Sequence, residues 1–203
     1  MMVAQRCIYK NMDECRKAAE RIAAHTIPLS EESVVQLTGI LVRRELSKGD
    51  FFLQEGEIAR SMGMVMEGMV RQFYWKKKRE VTEHITYEDH LFVCLESFIR
   101  QMPGAFYVEA LEPSVIYEVP YDGLHYLMDK NPEILRLYCA ILESSLLISQ
   151  KKADARCRQS VGERYRQLER EHPEIIRRAP QIYVASLLGM TPETLSRIRA
   201  GKL

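Results

Sequence analysis

Between Gln181 and Lys202 the chain reads QIYVASLLGMTPETLSRIRAGK, and this stretch holds the side chains best placed to meet a charged polymer. Its first half, with Ile182, Ala185, Leu187 and Leu188 on a helical period, ends at Gly189, a residue free to adopt a left-handed stop. A second helix starts at Thr191-Pro192-Glu193: a hydroxyl cap, a proline in the first turn and an early acid. Leu195 and Ile198 are predicted to face inward, which leaves Glu193, Thr194, Ser196, Arg197 and Arg199 on the outer surfaces. Helix, glycine-bearing turn, helix, with hydroxyls and arginines outward, is the form in which a helix-turn-helix offers its second helix to a DNA major groove. The bland alternative is a C-terminal helical hairpin with a solvated outer face.

Other chemistry is poorly supported. His84 and His90, with Glu83, Glu88 and Asp89, suggest a metal site on a cupin-like sheet, but one strand face needs even offsets and Tyr87 to Asp89 read as a turn. Surface histidines are the expectation. Met62, Met64, Met66 and Met69 read as strand and core residues rather than a metal box. The run Lys76-Lys77-Lys78-Arg79 falls where strands reverse, so a solvated hairpin tip is expected, with a protein or DNA phosphate contact as the alternative. No Ser/His/Asp or Cys/His arrangement and no phosphate-cradling loop emerges. The chain is therefore read as no enzyme, with no catalytic residue, metal or cofactor.

Composition agrees. At 203 residues, 46% apolar and 28% charged, the chain can bury a core. It lacks an apolar run of the roughly 20 residues that span a bilayer, and its first residues lack a signal-peptide core, so a cytoplasmic protein away from membranes is expected. Cys7, Cys15, Cys94, Cys139 and Cys157 are odd in number and scattered, as suits reduced thiols. Net charge is +1, but unevenly spread: 12 Lys and Arg against 6 Asp and Glu from Lys151 on, 17 against 22 before it. A basic end on a mildly acidic body fits a protein that touches DNA with that end, and equally a surface of uneven charge with no partner.

The elements that must position the outer face follow in order. Helices are predicted over 12–25 and from Ser30 to about Leu41. Strands are predicted at 41–46, 51–55, 62–67, 69–75, 80–86, 106–111 and 114–119, a rhythm that makes a small antiparallel roll or barrel. Asn131-Pro132-Glu133 then starts a helix uninterrupted until Gly162, about 40 Å long at 1.5 Å per residue. It carries two apolar lines. Ile134, Leu137, Ile141 and Ile148 can pack on the roll; Leu135, Tyr138, Leu142 and Leu146 need a partner, which a symmetry mate would supply, the alternative being that one subunit buries both lines. A further helix, Val161 to Arg170, leads into the C-terminal unit.

This order resembles the Crp/Fnr family of bacterial transcription factors. The resemblance rests on Lys48-Gly49-Asp50-Phe51-Phe52, Glu55-Gly56, Met66-Glu67-Gly68-Met69-Val70-Arg71, Leu95-Glu96-Ser97-Phe98, Glu109-Ala110-Leu111-Glu112 and Leu188-Gly189-Met190-Thr191-Pro192-Glu193-Thr194-Leu195-Ser196-Arg197-Ile198, and spans about residues 29 to 203. It implies an α+β fold: an N-terminal double-stranded β-helix (jelly roll) of the cyclic-nucleotide-binding type over 1–130, a dimerisation helix over 131–159 and a helix-turn-helix over 160–203. By the same resemblance Glu193 and Arg197 read base edges, Thr191 and Thr194 hold phosphate, and Gln181 opens the helix that sits on the backbone. The spacing suits those roles: 193 and 197 lie one turn apart, arginine grips guanine O6 and N7, and a carboxylate accepts from cytosine N4.

Departures from the family pattern set the rest. Val93, Cys94, Gly104 and Ala105 stand where the family has the glycine, glutamate, arginine and hydroxyl that hold a cyclic nucleotide, so cyclic AMP loses its charge-assisted partner. Arg100 is the one nearby substitute. The cysteine spacing for an iron–sulfur cluster is missing, and the β wing is expected to be reduced or missing. The resulting expectation is a homodimeric transcriptional regulator on a pseudo-palindromic operator, with RNA polymerase as a further partner and an unknown small effector other than cyclic AMP. The alternatives are an effector-independent regulator or a scaffold with a degenerate roll.

Overall fold

The computed structural model describes residues 2–202, with side chains from Met12 on, so Cys7 lies outside the described side chains. Two helices lead in, α1 (Met2–Ala24) and α2 (Glu31–Ile40). The strands are β1 (Val42–Leu46), β2 (Phe51–Leu53), β3 (Ser61–Glu67), β4 (Met69–Lys76), β5 (Arg79–Tyr87), β6 (Leu91–Phe92), β7 (Tyr107–Ala110) and β8 (Ser114–Pro120), with α3 (Leu95–Arg100) between β6 and β7. There follow α4 (Tyr121–Met128), α5 (Pro132–Arg158), α6 (Val161–Glu171), α7 (Pro173–Arg178), α8 (Gln181–Leu187) and α9 (Pro192–Arg199). Helix α1 begins ten residues earlier than the pattern predicts, and α3, α4, α7 and the two-residue β6 are too short for a periodicity to announce.

The strands form two antiparallel four-stranded sheets, in the orders β1-β8-β3-β6 and β2-β7-β4-β5. They face each other as a jelly roll, not a closed barrel. Between them lie Leu46, Leu53, Val65, Val70, Phe92, Val108, Ala110 and Ile116, all buried. Gly63 is required here, because a Cβ would sit 2.2 Å from the Phe92 ring. At Gly68, φ is +92° and a Cβ would meet the backbone of Pro113 and Ser114, so the β3–β4 turn admits no side chain.

Helix α5 is capped by Asn131, whose side chain accepts from the Glu133 amide, with Pro132 in the first turn. It ends at Arg158, short of Gly162, because Gln159 turns extended and Ser160 caps α6 in a full capping box with Glu163. Ile134, Leu137 and Ile141 are buried against the roll. Ile148, expected on that inner line, is 46% exposed. The core ends before it reaches that turn, and the same face is taken up again by Lys152. On the other line Leu135 and Leu146 are exposed, at 46% and 62%, and Leu142 is half-buried. Tyr138 instead turns toward the core edge, its ring 6.0 Å from that of His125.

After β8 the described residues contain no strand; the wing position holds helices only. None of the described helices is long and apolar enough to cross a membrane.

Candidate nucleic-acid interface

The helix pair α8–α9 is built by local chemistry. Gly189, at φ +67°, ends α8: its own amide donates to the Ser186 carbonyl and the Met190 amide to the Ala185 carbonyl, the two bonds of a glycine-ended helix. The next helix is capped by Thr191, whose hydroxyl accepts from the Thr194 amide at 3.2 Å, with Pro192 in the first turn. Arg164 of α6 braces the joint, its guanidinium donating to the carbonyls of Leu188 at 2.9 Å and Gln159 at 2.8 Å. Leu195 and Ile198 are buried against Val184, Ala185 and Leu188. Ile182, expected in that apolar set, is instead 60% exposed beside Gln181, and Val184 takes the inward position.

That packing fixes what α9 presents. Glu193, Ser196 and Arg197 occupy the middle of the exposed face; Arg199 stands exposed on one flank, and Thr194, half-buried and paired with the Thr191 hydroxyl at 3.2 Å, on the other. Gln181 and Thr191 are exposed at the starts of the two helices. The Glu193 carboxyl is held below the usual carboxylate range by bonding to its own backbone amide at the helix start and to Thr191. Arg197 and Arg199 make no ion pair with any described residue. The structure thus brings the sequence-predicted set onto one surface, with Gln181 at its edge.

Sequence reasoning missed how this surface is mounted. The C-terminal unit does not hang from α5 alone; it packs on the outer face of the β4–β5 sheet. Met69, Ile85 and Leu111 of the roll share a core with Tyr165, Ile175, Val184, Leu188 and Leu195. At the centre is Arg71, 1% exposed, its guanidinium between the rings of Phe73 (3.9 Å) and Tyr183 of α8 (3.6 Å). Its terminal nitrogens donate to the carboxylates of Glu80 and Glu109 at 2.7 and 2.8 Å. Nearby, the Thr82 amide donates to Ser186 Oγ at 2.9 Å. A second ionic knot joins Arg178 of α7 to Glu88 and Glu112, and Tyr87 Oη meets His172 Nδ1 at 3.0 Å. The sequence carries no clear signal for this: β4 has Arg71 on one face and Gln72 on the other, and it is the structure that shows both buried.

The two histidines of the discarded metal reading go separate ways. His84, expected at the surface, is covered by Lys152 of α5, whose ammonium lies 3.0 Å from Nδ1 and also donates to the Glu83 carbonyl. Burial, then the Lys152 charge, lowers the His84 pKa to about 4, and burial brings Lys152 down to about 8. His90 is exposed, with its ring against Tyr87. Among the described residues no three His, Cys, Asp or Glu side chains could hold one metal.

In the roll, Val93 and the buried Cys94 stand at the start of α3, and burial pushes the Cys94 thiol to about 12. Gly104 packs on Ser97, and Ala105 follows. Arg100 points outward, 66% exposed and paired with Glu96 at 3.7 Å, so it does not serve the interior. A cleft of about 500 Å³ opens elsewhere on the roll, between Arg44, Phe52, Arg60, Ser61 and Glu118.

A family model described as the cyclic nucleotide-binding domain matches residues 43–131. Over 184 residues the chain is 29% identical to the regulatory protein HlyX of Actinobacillus pleuropneumoniae, covering 84% of this chain and 75% of that one. Over the same length it is 27% identical to the fumarate and nitrate reduction regulatory protein of Yersinia pestis, covering 84% and 72%. The fold is shared with FixK2 from Bradyrhizobium japonicum, at a TM-score of 0.67 and 18% identity over 80% of this chain and 84% of that one.

The mounting makes a pH prediction. His84 has its folded pKa lowered from 6.5 to about 4, so the unfolded chain binds the extra proton and stability falls as pH drops from 6.5 toward 4. Hydrogen bonds from Arg178 lower the Glu88 pKa from 4.5 to about 2, so its contribution is present above 4.5 and is lost from there down to about 2. Thermal midpoints by circular dichroism should therefore fall in two successive windows. His84→Gln should flatten the upper one, on the order of 2 kcal/mol, and Arg178→Gln the lower. An upper window equally steep in His84→Gln contradicts the assignment.

Proposed function

This chain is a member of the Crp/Fnr family of regulators, and from that membership we propose that it works as a homodimer, setting α9 of each copy into the major groove of a pseudo-palindromic operator. The observation that carries the reading is the outer face of α9, where Arg197 stands exposed beside Glu193 and Ser196, without an ion pair among the described residues. Arg197 and Glu193 read base edges; Thr191, Thr194, Arg199 and the start of α8 at Gln181 hold phosphates, which fix register but carry no sequence. The names of the relatives, regulatory proteins all, support a regulator rather than an enzyme. A cytoplasmic site of action goes with that role.

The division of labour is roll over 1–130, pairing helix over 131–159 and reading unit over 160–203. Leu135, Leu142 and Leu146 form the pairing seam, with Tyr138 at its margin, because an isolated subunit leaves Leu135 and Leu146 in water. Two-fold pairing along this rod sets the reading helices one turn of DNA apart, about 34 Å. The roll senses a small effector other than cyclic AMP. Gly104 and Ala105 bring no charge to a cyclic phosphate and Arg100 faces solvent, whereas the cleft beside Arg44 and Arg60 offers guanidiniums together with Glu57 and Glu118.

Three outcomes follow. Arg197→Ala should weaken binding to a site selected from random DNA by about 1–3 kcal/mol and relax preference at one base pair; an unchanged footprint in a gel-shift series overturns the base-reading role. Leu146→Glu should raise the dimer dissociation constant in sedimentation velocity by on the order of 100-fold, since the dimer is deprived of two buried leucines; a persistent dimer removes Leu146 from the seam. Titration calorimetry with cyclic AMP should give no heat, and micromolar binding would refute the reading of positions 93, 94, 104 and 105.

A further inference from the structure

The β4–β5 hairpin ends in Lys76-Lys77-Lys78-Arg79, all four exposed and none in an ion pair with a described residue. Folding alone disfavours this tip. Lys76 and Arg79 are directly paired across the strands, where like charges repel. Lys77 and Lys78 hold φ of 46° and 64°, a turn that prefers Asn-Gly. A local rule broken twice in one short turn marks a functional position rather than a solvated loop.

Placement says which function. Immediately behind the tip, Ser186 of α8 bonds the Thr82 amide at 2.9 Å and the Glu80 carbonyl at 3.3 Å. Glu80 is two residues from Lys78, about 7 Å of strand. The Arg71 stack on Tyr183 locks the same hairpin to the same helix. The cations are therefore carried rigidly with the helix-turn-helix, in a chain whose described residues contain no strand after β8 to serve as a wing.

We infer that this hairpin tip is a phosphate clamp: it grips the DNA backbone beside the groove occupied by α9, doing from the roll what a wing does from the C-terminal unit. The inference rests on the DNA-binding reading of α9. The clamp adds affinity without base preference and makes that affinity steeper in salt.

The test is Lys76→Gln with Lys77→Asn and Lys78→Gly, which removes three charges while giving the turn its preferred residues, so the hairpin should be at least as stable. Binding is measured from 50 to 300 mM salt on two duplexes, one carrying a site selected by the wild-type protein and one of random sequence. The slope of log affinity against log salt should fall by about 0.9 for each phosphate no longer neutralised, up to about 5 for the six charges removed from a dimer, and affinity at 150 mM by at least 10-fold on both duplexes alike. Base preference should be untouched. An unchanged slope overturns the clamp and assigns the cations to some other partner. Arg197→Ala on the same duplexes should do the reverse, losing preference while keeping slope, so failure of the clamp and failure of the α9 reading separate. A wild-type protein indifferent to both duplexes sinks the two together. If the triple variant has a lowered melting point, Lys76→Gln with Arg79→Gln repeats the measurement without touching the turn.

Discussion

A guanidinium removed from water must be surrounded by groups that replace its hydration, and the arrangement of this molecule follows from how Arg71 is held, with both terminal nitrogens paired and only Nε left without a hydrogen bond. At 1% exposure it lies between the faces of Phe73 and Tyr183, with Glu80 and Glu109 at its nitrogens. Three of these groups belong to the roll. Tyr183 alone comes from the C-terminal unit, and it closes the site. Ring faces are attractive to cations and cost less desolvation than a second layer of charge. Removing the arginine would strand two partly buried carboxylates, so the contact works as a latch: favourable when complete, costly when half made.

The latch explains why β4 is buried on both faces. Val70 faces the space between the sheets, and Met69, Arg71 and Phe73 face the C-terminal unit, so neither side of the strand meets water until Tyr74. The same strand then runs out into the basic tip. One continuous element thus touches the roll interior, the first helix of the reading pair and the charged hairpin end, and its displacement must be felt at all three. Lys152 ties α5 to β5 beside it through the Glu83 carbonyl and His84, which adds the long helix to the same body.

Much of this was legible. The order of roll, long helix and helix pair came from the turn glycines, the Asn131-Pro132 start and Thr191-Pro192-Glu193, because each is a local backbone requirement that a few residues satisfy by themselves. The outer face of α9 was legible for the same reason. What stayed hidden were pairings between distant segments: Arg71 with Tyr183, Arg178 with Glu88 and Glu112, His84 with Lys152. No period or spacing encodes these, since each partner looks alone like a surface residue. The exposed Ile148 and Ile182 fail in the opposite direction. A helical period says which residues share a face, but not where along the helix the neighbouring element stops.

The character of the joint between roll and reading unit also bears on how a signal could cross it. Met69, Ile85 and Leu111, with Tyr87 at the edge, give the shared core its apolar contribution from the roll; further links run through Arg71, Arg178, His172, Ser186 and Lys152. Parting two apolar surfaces costs free energy in proportion to the area exposed, whereas ion pairs and hydrogen bonds are replaced by water. A joint of this composition holds its partners in one register, because breaking any one of its buried polar links strands the others, so it stays closed or parts as a unit. The position of α9 relative to the roll is therefore set by these links, and a change in the roll that broke them would release the helix pair from it. The polar mounting is thus the element of this fold best suited to make the placing of α9 conditional on the state of the roll.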